Sequence, residues 1–480
     1  MPNWRILFLW IPVVFFIACE EPERVTTNID LDLHSSKYQH FDENPFVESK
    51  NEHRNAFSLE ARGFSFPNME LYINEQYNIP KRKLRLEGMM NYFDMNLPLV
   101  GSNAAEVFHQ IAPCPWEENN KLLMVAVKGG QFNLSQLPEK NISFLIDVSG
   151  SMDAPDKLAL IKEGMLSYAQ TMRSFDRISI VLFGGKNEVY LPPTRGASLQ
   201  TIVEAINNLR TYIEGNPGNS LELAYTQLDQ FAVENSLNHV VLFTDGKPDF
   251  FDGTTSSLIN MVGSKANSRK HLSIFGVGSN GSLDENDLEK LALLGQGQFN
   301  YIFNVNQFKR IFIDEIGFLY PVIQNAKPTV YFNDNLVKAY RLLGFEERFS
   351  EDQPYSRAAS LGGNLGINQT AVALYELRMD PNPDDDRYGE VILDFQNAVT
   401  GAQEKYAVDL RNEVFELANA EEDLRFFAGI SAFCLWLKDS PYRGKASREM
   451  AEGLCFNALN YDPLNRRQRF VQLMKDFVPE

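Results

Sequence analysis

Between residues 141 and 320, short continuous apolar runs alternate with stretches spaced by three and four. The runs are Ile142–Ile146, Ile178–Phe183, His239–Phe243 and Leu272–Val277. Unbroken apolar character predicts strands buried on both faces, hence a parallel sheet covered by helices. Leu158, Ile161, Met165, Ala169 and Met172 recur at helical spacing, with Pro155 suited to the first turn. Further helices are expected near 198–209, 219–234, 255–269, 284–294 and 306–318. The alternation predicts an α/β, doubly wound, mostly parallel sheet with its switch point at the end of the first strand.

The flanks have different periods. Residues 56–140 predict short helices near Met69–Ile73 and Arg85–Phe93, then strands at Glu106–Ile111 and Leu122–Val127. Residues 325–411 predict a β-rich module with strands at Thr329–Phe332, Ala339–Leu343, Thr370–Leu377 and Glu390–Phe395. These strands are expected to pair with those at 106–127, which would make the α/β domain an insertion in a β-sandwich. The loop Asp380–Asp386 is acidic but lacks the spacing and glycine of a calcium loop. Residues 412–480 predict helices, with one stripe at Leu424, Phe427, Ile430 and Cys434 and a later one at Leu464, Phe470, Val471 and Met474.

Composition narrows the functions. A net charge of -18 argues against nucleic acid and against electrostatic attachment to anionic lipid. Cys114, Cys434 and Cys455 show no Cys-x-x-Cys spacing, so zinc and thioredoxin chemistry are not indicated. Cys434 and Cys455 fall on successive helices, where a disulfide and two buried thiols are both open. Gly184-Gly-Lys186 lacks the rest of a phosphate loop, and no His-Glu-x-x-His or Gly-x-Ser-x-Gly occurs. The six histidines are scattered, and none is placed to activate Ser149 or Ser151 as a nucleophile. Gly295-Gln-Gly-Gln298 is expected to be a helix-ending turn. An enzyme is not expected.

Candidate chemistry gathers where two apolar runs end. Ile142–Ile146 delivers Asp147, Ser149 and Ser151, with Gly150 expected to tighten the loop. Val240–Phe243 delivers Asp245 after Thr244. Hard oxygen donors on a compact loop suit magnesium better than zinc or copper.

These residues resemble the metal-ion-dependent adhesion site of the von Willebrand factor A domain. The resemblance implies that Asp147, Ser149, Ser151 and Asp245 hold a magnesium ion whose open position accepts an acidic group from a protein partner. The serines would contact the ion directly, and the two aspartates mostly through water. It also places a threonine ligand where this chain has Gly215; Glu214, Asn216 and Ser220 are the candidate substitutes. Loss of that ligand favours an alternative, a metal-independent envelope scaffold or assembly protein. Arg85–Asp94 and Ala112–Trp116 resemble the N-terminal extension of one bacterial branch of the family. Asp423–Phe427 and Leu437–Gly444 resemble that branch's C-terminal domain, which is uncharacterised.

The amino terminus adds a location. Residues 1–18 carry Arg5 and the uncharged run Ile6–Ala18, too short to span a bilayer and suited to a signal core. Phe16-Ile-Ala-Cys19 resembles a bacterial lipoprotein cleavage box, with Phe16 at the usual leucine position, so Cys19 is the expected lipidated residue. Residues 19–55 predict a polar tether. The expectation is a bacterial cell-envelope protein, lipid-anchored at the outer membrane, periplasmic or surface-exposed.

Overall fold

The computed structural model describes residues 43–477 except 60–65, 67–68, 71–72, 74–83, 102, 132–136, 213–217, 232–235, 247–249, 279–284, 315–318, 347–362, 381–385, 399 and 412. The expected signal segment, Cys19, most of the tether, most of the Asp380–Asp386 loop and the loop holding Glu214, Gly215 and Asn216 lie outside the described residues.

The chain enters through β1 (Val47–Glu48), β2 (Arg54–Ala56), α1 (Leu86–Met90), β3 (Ala105–Pro113) and β4 (Asn120–Gly129). The α/β domain follows: β5 (Lys140–Asp147), α2 (Leu158–Ala169), β6 (Arg177–Phe183), β7 (Glu188–Arg195), α3 (Leu199–Asn207), α4 (Ser220–Asp229), β8 (Leu237–Thr244), α5 (Thr255–Asn267), β9 (Lys270–Val277), α6 (Glu285–Leu294), β10 (Gln296–Ile302) and α7 (Val305–Lys309), which runs on into a π-helical turn, Arg310–Asp314. Then come β11 (Pro321–Phe332), β12 (Val337–Leu343), β13 (Gly363–Gly366), β14 (Thr370–Met379), β15 (Gly389–Asn397) and β16 (Gln403–Leu410). Helices α8 (Glu422–Lys438), α9 (Arg448–Phe456) and α10 (Arg466–Asp476) close the chain.

The α/β sheet runs β10-β9-β8-β5-β6-β7, parallel except for the antiparallel edge strand β7. The first strand is central, with Phe144 level with Ile180 on one side and Val241 on the other. Alternation sends Ile142, Phe144 and Ile146 into a core shared with Phe308 and Phe312. Leu145 goes to the opposite core, with Leu221 and Leu258. Helix α2 starts later than expected: Pro155 belongs to the preceding turn, and Leu158 is the first helical residue. Only Gly295 turns in the Gly-Gln-Gly-Gln segment; Gln296 onward is strand β10, parallel to β9. The glycine there serves close approach: a Cβ on Gly297 would stand 2.0 Å from the Leu272 carbonyl oxygen.

The flanking strands form two antiparallel sheets, β1-β12-β14-β4-β3 and β13-β11-β15-β16, with β2 also on β11. Thr370–Arg378 of β14 pairs with Asn120–Lys128 of β4 across the inserted domain. Leu123, Val125, Val127, Ala373 and Tyr375 face Val330 and Val391 of the second sheet. Leu122, Met124, Ala126, Val372 and Leu374 face the C-terminal helices, among them Leu424, Phe427 and Phe470. The order of layers is therefore helices, sheet, sheet, with the α/β domain projecting from one end.

Both crossings into that domain are tied together. Arg173 donates to the carbonyl oxygens of Leu137 and Pro138, to the buried Asp176 carboxylate and to the Tyr320 hydroxyl. Asp176 also accepts from the Lys140 amide at 3.0 Å. Cys114, Cys434 and Cys455 are free and buried, and the Cys455 thiol donates to the Phe426 carbonyl. Burial pushes the Cys434 thiol up to about 12.

Candidate metal-binding site at the sheet edge

β5 and β8 end side by side and carry Asp147 and Asp245 to the carboxyl edge of the sheet. Both carboxylates are buried, while Ser149 is half-buried and Ser151 exposed. Ser149 Oγ stands 3.0 Å from Ser151 Oγ, and Ser151 Oγ donates to Asp245 Oδ1 at 2.9 Å. Asp147 Oδ1 accepts from the Ser149 amide and Oδ2 from the Thr244 hydroxyl, each at 2.9 Å. Burial raises the Asp147 carboxyl above its ordinary range and the charge of Asp245 adds to this; the Ser149 and Thr244 hydrogen bonds oppose it.

The loop is pinned from behind. The Val148 amide donates to Phe183 O, and its carbonyl accepts from the Tyr212 amide. Met152 is fully buried below a 3₁₀ turn, Gly150–Met152. Gly150 does not carry the steric demand expected of it, since a Cβ there meets nothing within 4 Å. That demand falls on Gly184, just after β6. Its φ is +83°, and a Cβ would lie 2.5 Å from Asp147 Oδ1. Gly184→Ala is expected to cost about 1–2 kcal/mol through the left-handed backbone alone and to displace the Asp147 carboxylate. Denaturant unfolding beside magnesium titration checks both effects.

Sequence reasoning also passed over Lys157 and Thr244. The Lys157 ammonium contacts Asp245 Oδ2 at 2.6 Å and the Ser151 carbonyl at 2.8 Å. Lys157 sits between a polar loop and an apolar stripe and looks like an ordinary solvated lysine. Thr244 is the hydroxyl of Thr-Asp-Gly, whose aspartate alone drew notice. Ser220 is placed elsewhere: its buried hydroxyl donates to Asn187 Oδ1 and Leu182 O.

The donor set fits a hard divalent ion in chemistry and spacing. Adjacent vertices around magnesium, with metal–oxygen distances of ~2.1 Å, stand roughly 3.0 Å apart. The Ser149–Ser151 and Ser151–Asp245 oxygen pairs have that spacing, bridged here by hydrogen bonds. No cluster of three or more His, Cys, Asp or Glu residues suited to a metal occurs among the described residues, which is unlike a zinc centre.

Residues 141–315 match the von Willebrand factor type A domain, a family of protein-interaction modules. Residues 32–124 match the region described as von Willebrand factor, and 317–478 match the C-terminal domain of uncharacterised protein YfbK. The chain is homologous to the Uncharacterized protein YfbK of Escherichia coli (strain K12), with 27% identity over 465 residues, 92% of this chain and 81% of that protein. Inter-alpha-trypsin inhibitor heavy chain H3 of Homo sapiens is 26% identical over 170 residues, covering 33% of this chain and 18% of that one. Among solved structures, a von Willebrand factor type A protein from Catenulispora acidiphila aligns with a TM-score of 0.42 at 14% identity, over 78% of this chain and 91% of that chain. The ArnB paralog VWA2 from Sulfolobus acidocaldarius aligns with a TM-score of 0.39 at 14% identity, over 78% and 97%.

Proposed function

We propose that this protein is a non-enzymatic, lipid-anchored binding module of the bacterial cell envelope that engages an acidic group on a protein partner through a divalent cation. The observation that carries this is the convergence of Asp147, Ser149, Ser151 and Asp245 at one exposed sheet edge. Magnesium there supplies an electrophilic point for a carboxylate and offsets the repulsion between two acidic surfaces. Ser149 and Ser151 present their hydroxyls toward solvent. Asp245 holds the Ser151 hydroxyl and Asp147 the Ser149 amide by hydrogen bonds, and the two carboxylates bring the negative charge the ion requires. Cys19 is the anchoring residue, and several acyl chains, at about 0.8 kcal/mol per buried methylene, hold the body at the membrane.

Asp147→Ala is expected to abolish saturable magnesium binding and magnesium-dependent partner capture. It leaves the buried Thr244 hydroxyl and the Ser149 amide without their acceptor, a cost of about 1–3 kcal/mol that relief of the desolvated carboxylate offsets in part, so the variant stays folded when compared without magnesium. Calorimetric titration of both proteins decides this, and equal binding in the variant overturns the reading.

A second reading, a metal-independent scaffold, is favoured by one contact. The Lys157 ammonium already meets Asp245 and the Ser151 carbonyl, so part of the charge an ion would balance is balanced from within. Under this reading Lys157→Met costs stability and does not change magnesium affinity. Under the first it strengthens magnesium binding.

A further inference from the structure

At the opposite end of the α/β sheet from Asp147, a cleft of about 630 Å³ opens between that domain, the sandwich and the turn at Tyr461–Leu464 that joins α9 to α10. Its size lies within the ~300–1,000 Å³ of small-molecule sites. Its walls come from all three sheets: Gln296 and Gln298 on β10, His271 on β9, Asn368 after β13 and Gln131 after β4. Among the described residues, the four carboxamide side chains make no hydrogen bond to the protein. His271 Nδ1 is buried beside them and has no partner either. Two of the amides sit on left-handed backbone, Gln296 at φ 51° and Asn368 at φ 57°. That conformation costs about 1–2 kcal/mol for most residues with a Cβ, so Gln296 bears the cost, while asparagine adopts it routinely. Glycine would avoid this cost at position 296, yet the chain carries glutamine there.

The charged groups of the lining are occupied. Lys128 Nζ donates to the carbonyls of Leu97 and Pro98 at 2.9 and 3.1 Å. Arg310 lies 4.4 Å over the Tyr92 ring, and Asp94 pairs with Arg466. What faces the cleft is thus neutral and able both to donate and to accept. At its rim stand Leu99 and Leu464, 70% and 52% exposed, which supply apolar flanks.

Each carboxamide offers one acceptor and two donors in a plane, which matches neighbouring hydroxyls on a sugar ring, while the ring's C–H faces suit aliphatic flanks. Phosphate and nucleotide ligands would need an uncommitted cation. A carboxylate-rich ligand would need the same. We propose that this cleft binds an uncharged oligosaccharide, at a site separate from the cation edge.

The test uses the full-length chain in detergent with chitotriose, cellotriose and maltotriose as probes, read by saturation-transfer NMR. At least one is expected to bind saturably at millimolar concentration. Gln296→Gly with Asn368→Gly removes two amides while suiting the left-handed backbone, so the double variant is expected to melt no lower than wild type and to bind at least tenfold more weakly. Asp147→Ala is expected to leave saccharide binding unchanged, which separates this site from the cation site. Absence of saturable binding by all three probes overturns the proposal. So does equal binding by the double variant, or saturation by an uncharged Gly/Ser peptide with none by a saccharide.

Discussion

Replacing Glu376 with alanine is expected to cost about 3–5 kcal/mol of folding stability, although the residue lies far from the candidate site. Glu376 and Arg341 face each other across β14 and β12, joined at 2.7 Å, with side chains 3% and 2% exposed. Glu376 also accepts from Asn120 on β4, and the Arg341 guanidinium lies 4.4 Å over the Tyr442 ring. The pair is enclosed between a β-sheet and a helix layer, where water does not reach. Losing the carboxylate leaves a buried cation whose next acid, Glu43, is 3.6 Å away. Arg341→Met with Glu376→Leu is expected to recover most of the loss, because neither charge then remains to desolvate. Urea unfolding of the single and double variants tests this. A single-variant loss under about 1 kcal/mol would mean that solvent screens the pair.

Acid is expected to weaken the protein through two neighbouring histidines. His239 and His271 lie side by side on β8 and β9, with ring centroids 5.8 Å apart, and His239 Nε2 is 2.8 Å from Ser273 Oγ. Burial lowers both, His239 well below its ordinary value and His271 to about 4. The folded protein therefore keeps both neutral while the unfolded chain begins to protonate near pH 6.5. Between those values the unfolded state binds more protons, so stability falls as pH falls. For His271 alone the loss reaches about 3 kcal/mol by pH ~4 and changes little below that. His271→Phe is expected to flatten the pH dependence over that window relative to wild type. Denaturant midpoints of both proteins at neutral pH and at about pH 4.5 provide the check; parallel slopes would sink the assignment.

Much of the central sheet was legible because its strands are buried on both faces, so their apolar runs are unbroken. The sandwich was legible too, since the strands expected at 122–127 and 370–377 do pair across the inserted domain, but its runs look like those of the central sheet. β4 and β14 also read as continuous runs, Leu122–Val127 and Ala371–Tyr375, yet they are antiparallel. Helices cover the outer face of their sheet, so neither face needs polar residues. The edge strands escaped notice for opposite reasons. β7 contains Pro192 and Pro193, which an edge tolerates because one side of it has no ladder to complete. β10 is rich in Gln, Asn and Gly, and its strand character comes from pairing with β9 rather than from propensity.

The site was legible in its sequence-local part. Asp147, Ser149 and Ser151 share one loop, and Asp245 ends an equivalent run. Lys157 and Gly184 reach the same spot only through tertiary approach, which spacing does not encode. Gly184 was visible as half of a double glycine after a strand, but nothing local said which carboxylate it makes room for.

The insertion of the α/β domain makes it a mechanical element. β5 spans eight residues, about 26 Å at ~3.3 Å per residue, from the crossing at Lys140 to Asp147. A pull applied at the Asp147 edge travels down that strand and leaves through two covalent connections at the same end, near Pro138 and Tyr320. Arg173 bridges both. Tension is thus shared between two parallel leads instead of one, and the Arg173 clamp ties those leads together where they leave the domain.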